Sequence, residues 1–127
     1  MTDVTPLVTA NAQVIQAYTN RGFRISGNEY LGAVLVVQDK VVPLDVASVT
    51  QLTAANFDAL DGTGTTYLII GAGKSAMLDV AIMQKLKAKG IVAEIMEIGA
   101  ACRTYNVLRT EGRMMAAALI PAGVPAD

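Results

Sequence analysis

The side chains best suited to chemistry lie close together late in this chain, in the run AACRTYNVL and the following EGR. This stretch holds the only cysteine, Cys102, together with Arg103, Tyr105, Asn106 and Arg113. Arginine and asparagine side chains near a helix start and neighbouring strand ends can form a pocket for an anion or a partner's carboxylate. We therefore treat Arg103, Asn106 and Arg113 as candidates for ligand or partner binding.

A structural interpretation of the same side chains stays open, and we favour it. Three carboxylates can form ion pairs with the arginines or cap a helix: Glu94, Glu97 and Glu111. A network of this kind would fix loops in place instead of binding a ligand.

Cys102 and Tyr105 each have a chemical and a structural interpretation. We expect Cys102 in the first turn of a helix beside Arg103, where the helix N-terminus and the cation both lower the pKa of a thiol. Because the chain has no histidine to act as a base, we favour a packed cysteine over a reactive one. Tyr105 lies at helical spacing from Leu108 and is expected in the core.

The run GAGKSA, which contains Gly71, Gly73 and Ser75, follows a predicted strand and precedes a predicted helix. This is the context of a dinucleotide-binding turn, and Glu94 and Glu97 follow about twenty residues later, near the acidic position that contacts the ribose. Against this interpretation, the chain offers only one βαβ unit, and glycines serve any tight strand-to-helix turn. We therefore favour a structural turn. The run is not a P-loop, because Leu68 occupies the position of that motif's first glycine.

The composition excludes several classes of site. With no histidine and one cysteine, the chain cannot hold a Ser-His-Asp or Cys-His nucleophile, a Cys/His zinc site or an intrachain disulfide. We expect no metal, no cofactor and no catalytic group. A net charge of −1 does not favour nucleic-acid binding. The hydrophobic fraction of 53% suits a sheet buried on both faces, or a surface covered by a partner.

The length of 127 residues predicts one domain over 1–127, with 1–12 loosely attached. No signal-peptide pattern is present, and the longest apolar run is far shorter than the ~20 residues of a membrane span. We therefore expect a cytoplasmic protein without an integral membrane segment.

Periodicity and turn residues predict an α/β fold. Antiparallel hairpins come first, with expected strands at 14–18, 23–25, 30–37 and 41–42 and a turn at 26–28. Pro43 indicates that the last of these strands ends there or lies at an edge of the sheet. A short helix capped by Thr53 follows, with Phe57 and Leu60 as its apolar residues. The remaining chain alternates strands at 67–70, 91–96 and 114–120 with two helices. The first is capped by Ser75 and ended by Gly90, and the second covers 101–111 and is ended by Gly112. The predicted architecture has three layers: a mixed central sheet, helices packed on it and an N-terminal antiparallel β subdomain.

Four segments together resemble a small family of unknown function that includes a mitochondrial assembly factor for respiratory complex I. They are RGFRISG at 21–27, YLG at 30–32, GAG at 71–73 and the run from Glu94 to Arg113. The resemblance implies a layered α/β fold, no established catalytic activity and a role in protein–protein contact. The chain departs from the family pattern in two places: no proline follows the glycine pair, and Leu44 lies where a tryptophan is common.

Three hypotheses follow from these observations. The first is a non-enzymatic accessory protein that binds a protein partner, as in the assembly of respiratory membrane complexes. The second is a small-molecule or nucleotide-binding domain, or a minor enzyme, with a pocket between Gly71–Ser75 and Cys102–Asn106. The third is a self-associating module that forms a homo-oligomer.

Overall fold

The computed structural model describes residues 13–73 and 76–123. In chain order the elements are β1 (Ile15–Tyr18), β2 (Gly22–Ile25), β3 (Asn28–Leu31), β4 (Ala33–Val37), β5 (Lys40–Leu44), 3-10 segments at Val49–Gln51 and Ala54–Leu60, β6 (Tyr67–Ala72), α1 (Val80–Ala88), β7 (Val92–Glu97), α2 (Ile98–Thr110) and β8 (Met115–Leu119). No helix in the two described ranges is long and apolar enough to cross a membrane. The expectation of a loosely attached segment at 1–12 lies outside the described residues.

The first three strands form a small antiparallel sheet in the order β1-β2-β3. The β2–β3 turn consists of Ser26 and Gly27, whose φ angles of 49° and 86° fit the type I′ turn preferred in two-residue hairpins. This confirms the predicted turn. The single strand expected at 30–37 is wrong. Gly32 has a φ of 84°, ends β3, and sends the chain into the other sheet as β4.

The larger sheet has five strands in the order β5-β4-β8-β6-β7. β4 is antiparallel to both β5 and β8, whereas β6 is parallel to both β8 and β7. This mixed sheet, with helices and a separate antiparallel sheet packed on it, confirms the predicted fold class. Pro43 lies in the edge strand β5, as its missing N–H requires.

Two apolar clusters cover opposite faces of the larger sheet. Side chains alternate along the central strand β8: Ala116 and Ala118 face the cluster beneath α1 and the 3-10 segments, whereas Ala117 and Leu119 face the cluster beneath α2 and the small sheet. All five residues of β8 are buried, as expected for a strand covered on both faces. The second cluster holds the predicted site stretch of α2.

Both principal helices begin at positions that differ from the prediction. α1 begins after Asp79, whose side chain accepts a hydrogen bond from the Ala81 N–H at 2.7 Å. The predicted cap, Ser75, lies outside the described residues, and the helix expected directly after it is not present at residues 76–79. α2 begins after Glu97, whose Oε1 accepts a hydrogen bond from the Ala100 N–H at 3.4 Å. Asp79 and Glu97 supply the acceptors that the free N–H groups of the first turns need.

The ends of the helices were predicted correctly. Gly90 and Gly112 follow α1 and α2 with φ angles of 82° and 78°, the left-handed conformation in which helices commonly stop. The segment capped by Thr53 has 3-10 geometry and still buries Phe57 and Leu60 as expected.

Candidate functional site

Asn106 attaches α2 to the edge strand β1. Its Oδ1 accepts a hydrogen bond from the Ile15 N–H at 3.0 Å, and its Nδ2 donates one to the Ile15 carbonyl at 2.8 Å. β1 has a strand neighbour on one side only, so the amide side chain of Asn106 pairs with β1 as a further strand would. The structure thus gives this predicted site residue a structural role.

A groove lies beside this pair of hydrogen bonds, between β1 and the N-terminal half of α2. Its volume is about 440 Å³, within the range of ligand pockets. Polar and small residues from both elements contribute to its lining, among them Gln16, Tyr18, Gly99, Cys102, Arg103 and Asn106. We call this space the β1–α2 groove. It brings together three of the predicted site residues: Cys102, Arg103 and Asn106.

Three polar side chains surround Gly99 in the β1–α2 groove. A Cβ atom on Gly99 would lie 2.6 Å from Tyr18 Oη, 3.2 Å from Arg103 Nη1 and 3.3 Å from Glu97 Oε1. The missing side chain of Gly99 therefore leaves room for a phenol, a guanidinium and a carboxylate to approach one point on the helix surface. Hydrogen-bond donors and an acceptor lie there side by side.

The ion-pair network favoured from the sequence is not formed within the described residues. The salt bridges there join Arg24 to Glu29, and Lys89 to Asp58 and Asp61. Arg103 and Arg113 belong to none of them. Among the described groups, then, the exposed guanidinium of Arg103 has no carboxylate partner.

Cys102 is packed, as favoured from the sequence. Because α2 begins at Ile98, Cys102 lies in the second turn and not in the first, and its side chain is only 5% exposed. Burial raises the pKa of the thiol to about 11, with the nearby Arg103 opposing this and Glu97 adding to it. At neutral pH the thiol therefore stays protonated and is a poor nucleophile.

Tyr105 is a core residue, as predicted. It is among the largest fully buried side chains and packs beneath the second face of the sheet. Burial raises the pKa of its hydroxyl to about 12, and the nearby Arg109 partly opposes the rise.

Glu94 and Arg113 lie at another place, near the first residue of β6. The Tyr67 hydroxyl donates a hydrogen bond to Glu94, and the positive charge of Arg113 is close enough to act on the same phenol. Burial, followed by this bond to the carboxylate, raises the pKa of Tyr67 to about 12, against the influence of Arg113. These two predicted site residues do not line the β1–α2 groove.

The two glycines of the GAGKSA run have different surroundings. Gly71 is buried under α2, where a Cβ atom would lie 2.8 Å from the Cβ of Ala101 and 3.0 Å from Cδ2 of Leu119. Gly73 lines a separate, mostly apolar groove beside Ile120, with open space where its Cβ would be. The described residues therefore do not bring Gly73 into the β1–α2 groove.

The geometry after the glycines differs from that of a dinucleotide site. Such a site places the pyrophosphate at the N-terminus of a helix that starts directly after the glycine turn. Here α1 starts at Val80, seven residues after Gly73, and the carboxylate of Asp79 lies at that end and accepts a hydrogen bond from the Ala81 N–H. Within the described part of the chain, no cluster of three or more Cys, Asp or Glu side chains is placed to hold a metal ion.

Sequence reasoning missed Ile15, Tyr18, Gly99 and Tyr67 as partners of the candidate residues. Ile15 and Tyr18 precede α2 by at least eighty positions, so no local pattern connects them with it. The packing of Gly99 against Tyr18 depends on the position of β1, which no pattern around Gly99 indicates.

Comparison with other proteins identifies relatives over nearly the whole described region. Human NADH dehydrogenase (ubiquinone) 1 alpha subcomplex assembly factor 3 is 34% identical over 115 residues, which cover 88% of this chain and 62% of that protein. The chain thus spans less than two thirds of that relative. An uncharacterized protein of Rhodobacter capsulatus is 33% identical over 116 residues, covering 88% of this chain and 87% of its own length.

A solved structure shares the fold. The solution structure of a Bordetella pertussis protein described as a Mth938-like domain aligns with a TM-score of 0.78, at 22% identity, over 97% of this chain and 92% of that one. Residues 15–120 match the family described as "Protein of unknown function (DUF498/DUF598)". This chain therefore belongs to the DUF498/DUF598 family.

Proposed function

We propose that this chain is a non-enzymatic accessory protein that binds a protein partner and serves the assembly of a respiratory membrane complex. The observation that carries the proposal is its 34% identity, over 88% of its length, to a human protein named as an NADH dehydrogenase assembly factor. Because fold alone does not fix function, the sequence relationship supports the proposal more strongly than the shared architecture does.

The chemistry of the candidate residues supports a role without catalysis. The Cys102 thiol is buried with a raised pKa, the Asn106 amide is engaged with β1, and the Glu97 carboxylate caps α2. In the β1–α2 groove these groups hold structure together. Arg103 and Tyr18 remain there as exposed polar groups suited to recognition.

Exposed apolar side chains also support a partner-binding role. On the outer surface of α1, Val80 and Met83 are three positions apart and both exposed, and Met77 precedes them with 81% exposure. A partner that covers these side chains would remove them from water. We further propose that residues 1–127 act as one domain in the cytoplasm, without binding nucleic acid.

Affinity co-purification from detergent-solubilised extract of the source organism tests this proposal. We expect the wild-type chain, tagged at the C-terminus, to recover subunits of a respiratory membrane complex identified by mass spectrometry. An Arg103→Ala variant, first confirmed to be folded, should recover less, and Arg113→Ala serves as the control arginine outside the groove. Recovery of the same proteins by an untagged control, or of no respiratory subunit, would overturn the proposal.

A further inference from the structure

β1 has one strand neighbour, β2, and its other edge faces α2. Along an antiparallel strand, the peptide groups of successive residues alternate between the two edges. Thr19 N–H donates to the Gly22 carbonyl at 2.9 Å, so the adjacent pair, Tyr18 opposite Phe23, is a non-hydrogen-bonded pair. The N–H and carbonyl of Tyr18 therefore point away from β2, as those of Ile15 do.

The two outward-facing residues of β1, Ile15 and Tyr18, differ in the hydrogen bonds that their peptide groups make. The peptide groups of Ile15 are taken by Asn106, as described above. Tyr18 lies at the other end of β1, is 47% exposed and has no such side-chain partner within the described part of the chain. The shift in register between Ile15 and Ala17 is the irregularity that lets both residues face the same edge.

The groups around Gly99 continue this pattern of donors and acceptors. Arg103 and the Tyr18 hydroxyl can donate hydrogen bonds to a group bound beside them in the groove, and the Glu97 carboxylate can accept one from it. A simple anion does not suit this place, because the Glu97 carboxylate would repel it. A peptide group does suit it, since its carbonyl can face Arg103 while its N–H faces Glu97.

We propose that the β1–α2 groove binds an extended backbone segment of a protein partner, which pairs with the free edge of β1 at Tyr18 and runs past the Tyr18 hydroxyl, within reach of Arg103 and Glu97. This inference rests on the proposed function, for which it names the binding surface and the form of the partner. Addition of a strand to a sheet edge is an established mode of peptide recognition. The partner segment cannot extend along β1 as far as Ile15, because the side chain of Asn106 already pairs with the backbone there.

A single methyl group on Gly99 disturbs the groove at one defined point, which gives a sharp test. Gly99 is buried, and in a Gly99→Ala variant the new Cβ would lie 2.6 Å from Tyr18 Oη, so the phenol must move from its place between Arg103 and Glu97. Alanine suits a helix better than glycine, so α2 should keep its structure. Gly73→Ala is the matched control, because Gly73 lies outside the groove with open space around its Cβ position.

The probe is a phage-displayed library of random dodecapeptides selected on the immobilised wild-type protein. The most enriched peptides would be synthesised, and their Kd measured by fluorescence anisotropy for wild type, Gly99→Ala, Arg103→Ala and Gly73→Ala. We expect Kd to rise by about tenfold or more in Gly99→Ala and in Arg103→Ala, a change that corresponds to the loss of roughly one charged hydrogen bond. In Gly73→Ala the Kd should stay within about twofold of the wild-type value. Peptide binding should also slow hydrogen exchange of the Tyr18 amide.

Two outcomes would overturn the inference: no enriched peptide, or enriched peptides that bind Gly99→Ala and Arg103→Ala as tightly as wild type. Either result would remove the groove as a peptide site and leave the assembly role to be judged by co-purification. If co-purification fails while peptides bind at the groove, the assembly role is lost and the peptide site stands.

Discussion

The side chain of Asn106 exchanges two hydrogen bonds with the backbone of Ile15, at 3.0 Å and 2.8 Å, across ninety-one positions of sequence. This contact joins the small N-terminal sheet to a helix of the larger α/β unit. It also fixes the spacing between β1 and α2, and thereby the width of the groove beside them. Asn106 belongs to the run AACRTYNVL, so this run supplies the contact that holds the small N-terminal sheet against α2.

Replacing Asn106 by alanine should destabilise the protein by about 1–3 kcal/mol, because the part-buried Ile15 peptide groups lose both partners. The free energy of unfolding in urea measures the loss, and hydrogen exchange of the Ile15 amide should accelerate more than that of residues in β8. Gln84→Ala, on the exposed side of α1, is the control and should change stability by less than about 0.5 kcal/mol. Equal stability of Asn106→Ala and wild type would contradict the role given to this contact.

Gly71→Ala should destabilise the protein by about 1–3 kcal/mol, because the added methyl would overlap Ala101 and Leu119 in a packed layer. Gly73→Ala should be neutral or slightly stabilising, since its Cβ position is open. Combining Gly71→Ala with Ala101→Gly should recover part of the loss, and the sum of the single effects should exceed the effect of the pair. Additive effects would show that Gly71 has another role than close packing with α2.

The Cys102 thiol should react slowly in the folded protein. Its pKa of about 11, against an ordinary value of 9.0, lowers the thiolate fraction near neutral pH by roughly 100-fold, and burial slows access further. Titration with Ellman's reagent at neutral pH measures the rate, with the protein unfolded in guanidinium as the reference. A reaction rate in the folded protein close to that of the unfolded protein would mean that Cys102 is accessible, and would make it a candidate reactive residue again.

Stability should decline at alkaline pH. The pKa values of Cys102, Tyr67 and Tyr105 are higher in the folded protein than in the unfolded chain, so the folded state holds these protons more tightly. Their contribution to the free energy of unfolding is fully present below the ordinary pKa values, 9.0 for the thiol and 10.0 for the phenols. It is lost as the pH rises towards 11 for the thiol and 12 for the phenols.

Urea unfolding at a series of alkaline pH values tests this linkage. In a Cys102→Ala variant the earliest part of the decline, between the unfolded and folded thiol pKa values, should be reduced. Gln84→Ala should follow the wild-type curve. A wild-type stability that rises over this pH range would contradict the sign of the shifts.

Local patterns were sufficient to predict the α/β class and the helix ends at Gly90 and Gly112. They failed where one local signal competed with another. The β-branched run after Gly32 outweighed that glycine, which separates two strands of different sheets. Ser75 and Asp79 are both good N-cap residues, and the helix begins after the second.

The candidate site was less predictable than the fold, since its geometry depends on contacts between distant parts of the chain. The sequence run around Cys102 and Arg103 indicated the correct surface of α2. It could not reveal that β1 forms the other wall, because Tyr18 and Ile15 carry no local signal for it. The pairing of Glu94 with Tyr67 depends in the same way on strand register, because Glu94 lies two positions beyond the residue of β7 directly opposite Tyr67 in β6.

The most direct measurement is the assembly state of NADH dehydrogenase in a strain of the source organism that lacks this gene, followed on blue-native gels with in-gel NADH oxidation. We expect the assembled complex to decrease and smaller subcomplexes to accumulate. Re-expression of wild type or Gly73→Ala should restore assembly, whereas Gly99→Ala should restore it poorly despite equal abundance. Unchanged assembly in the deletion strain would contradict the proposed role.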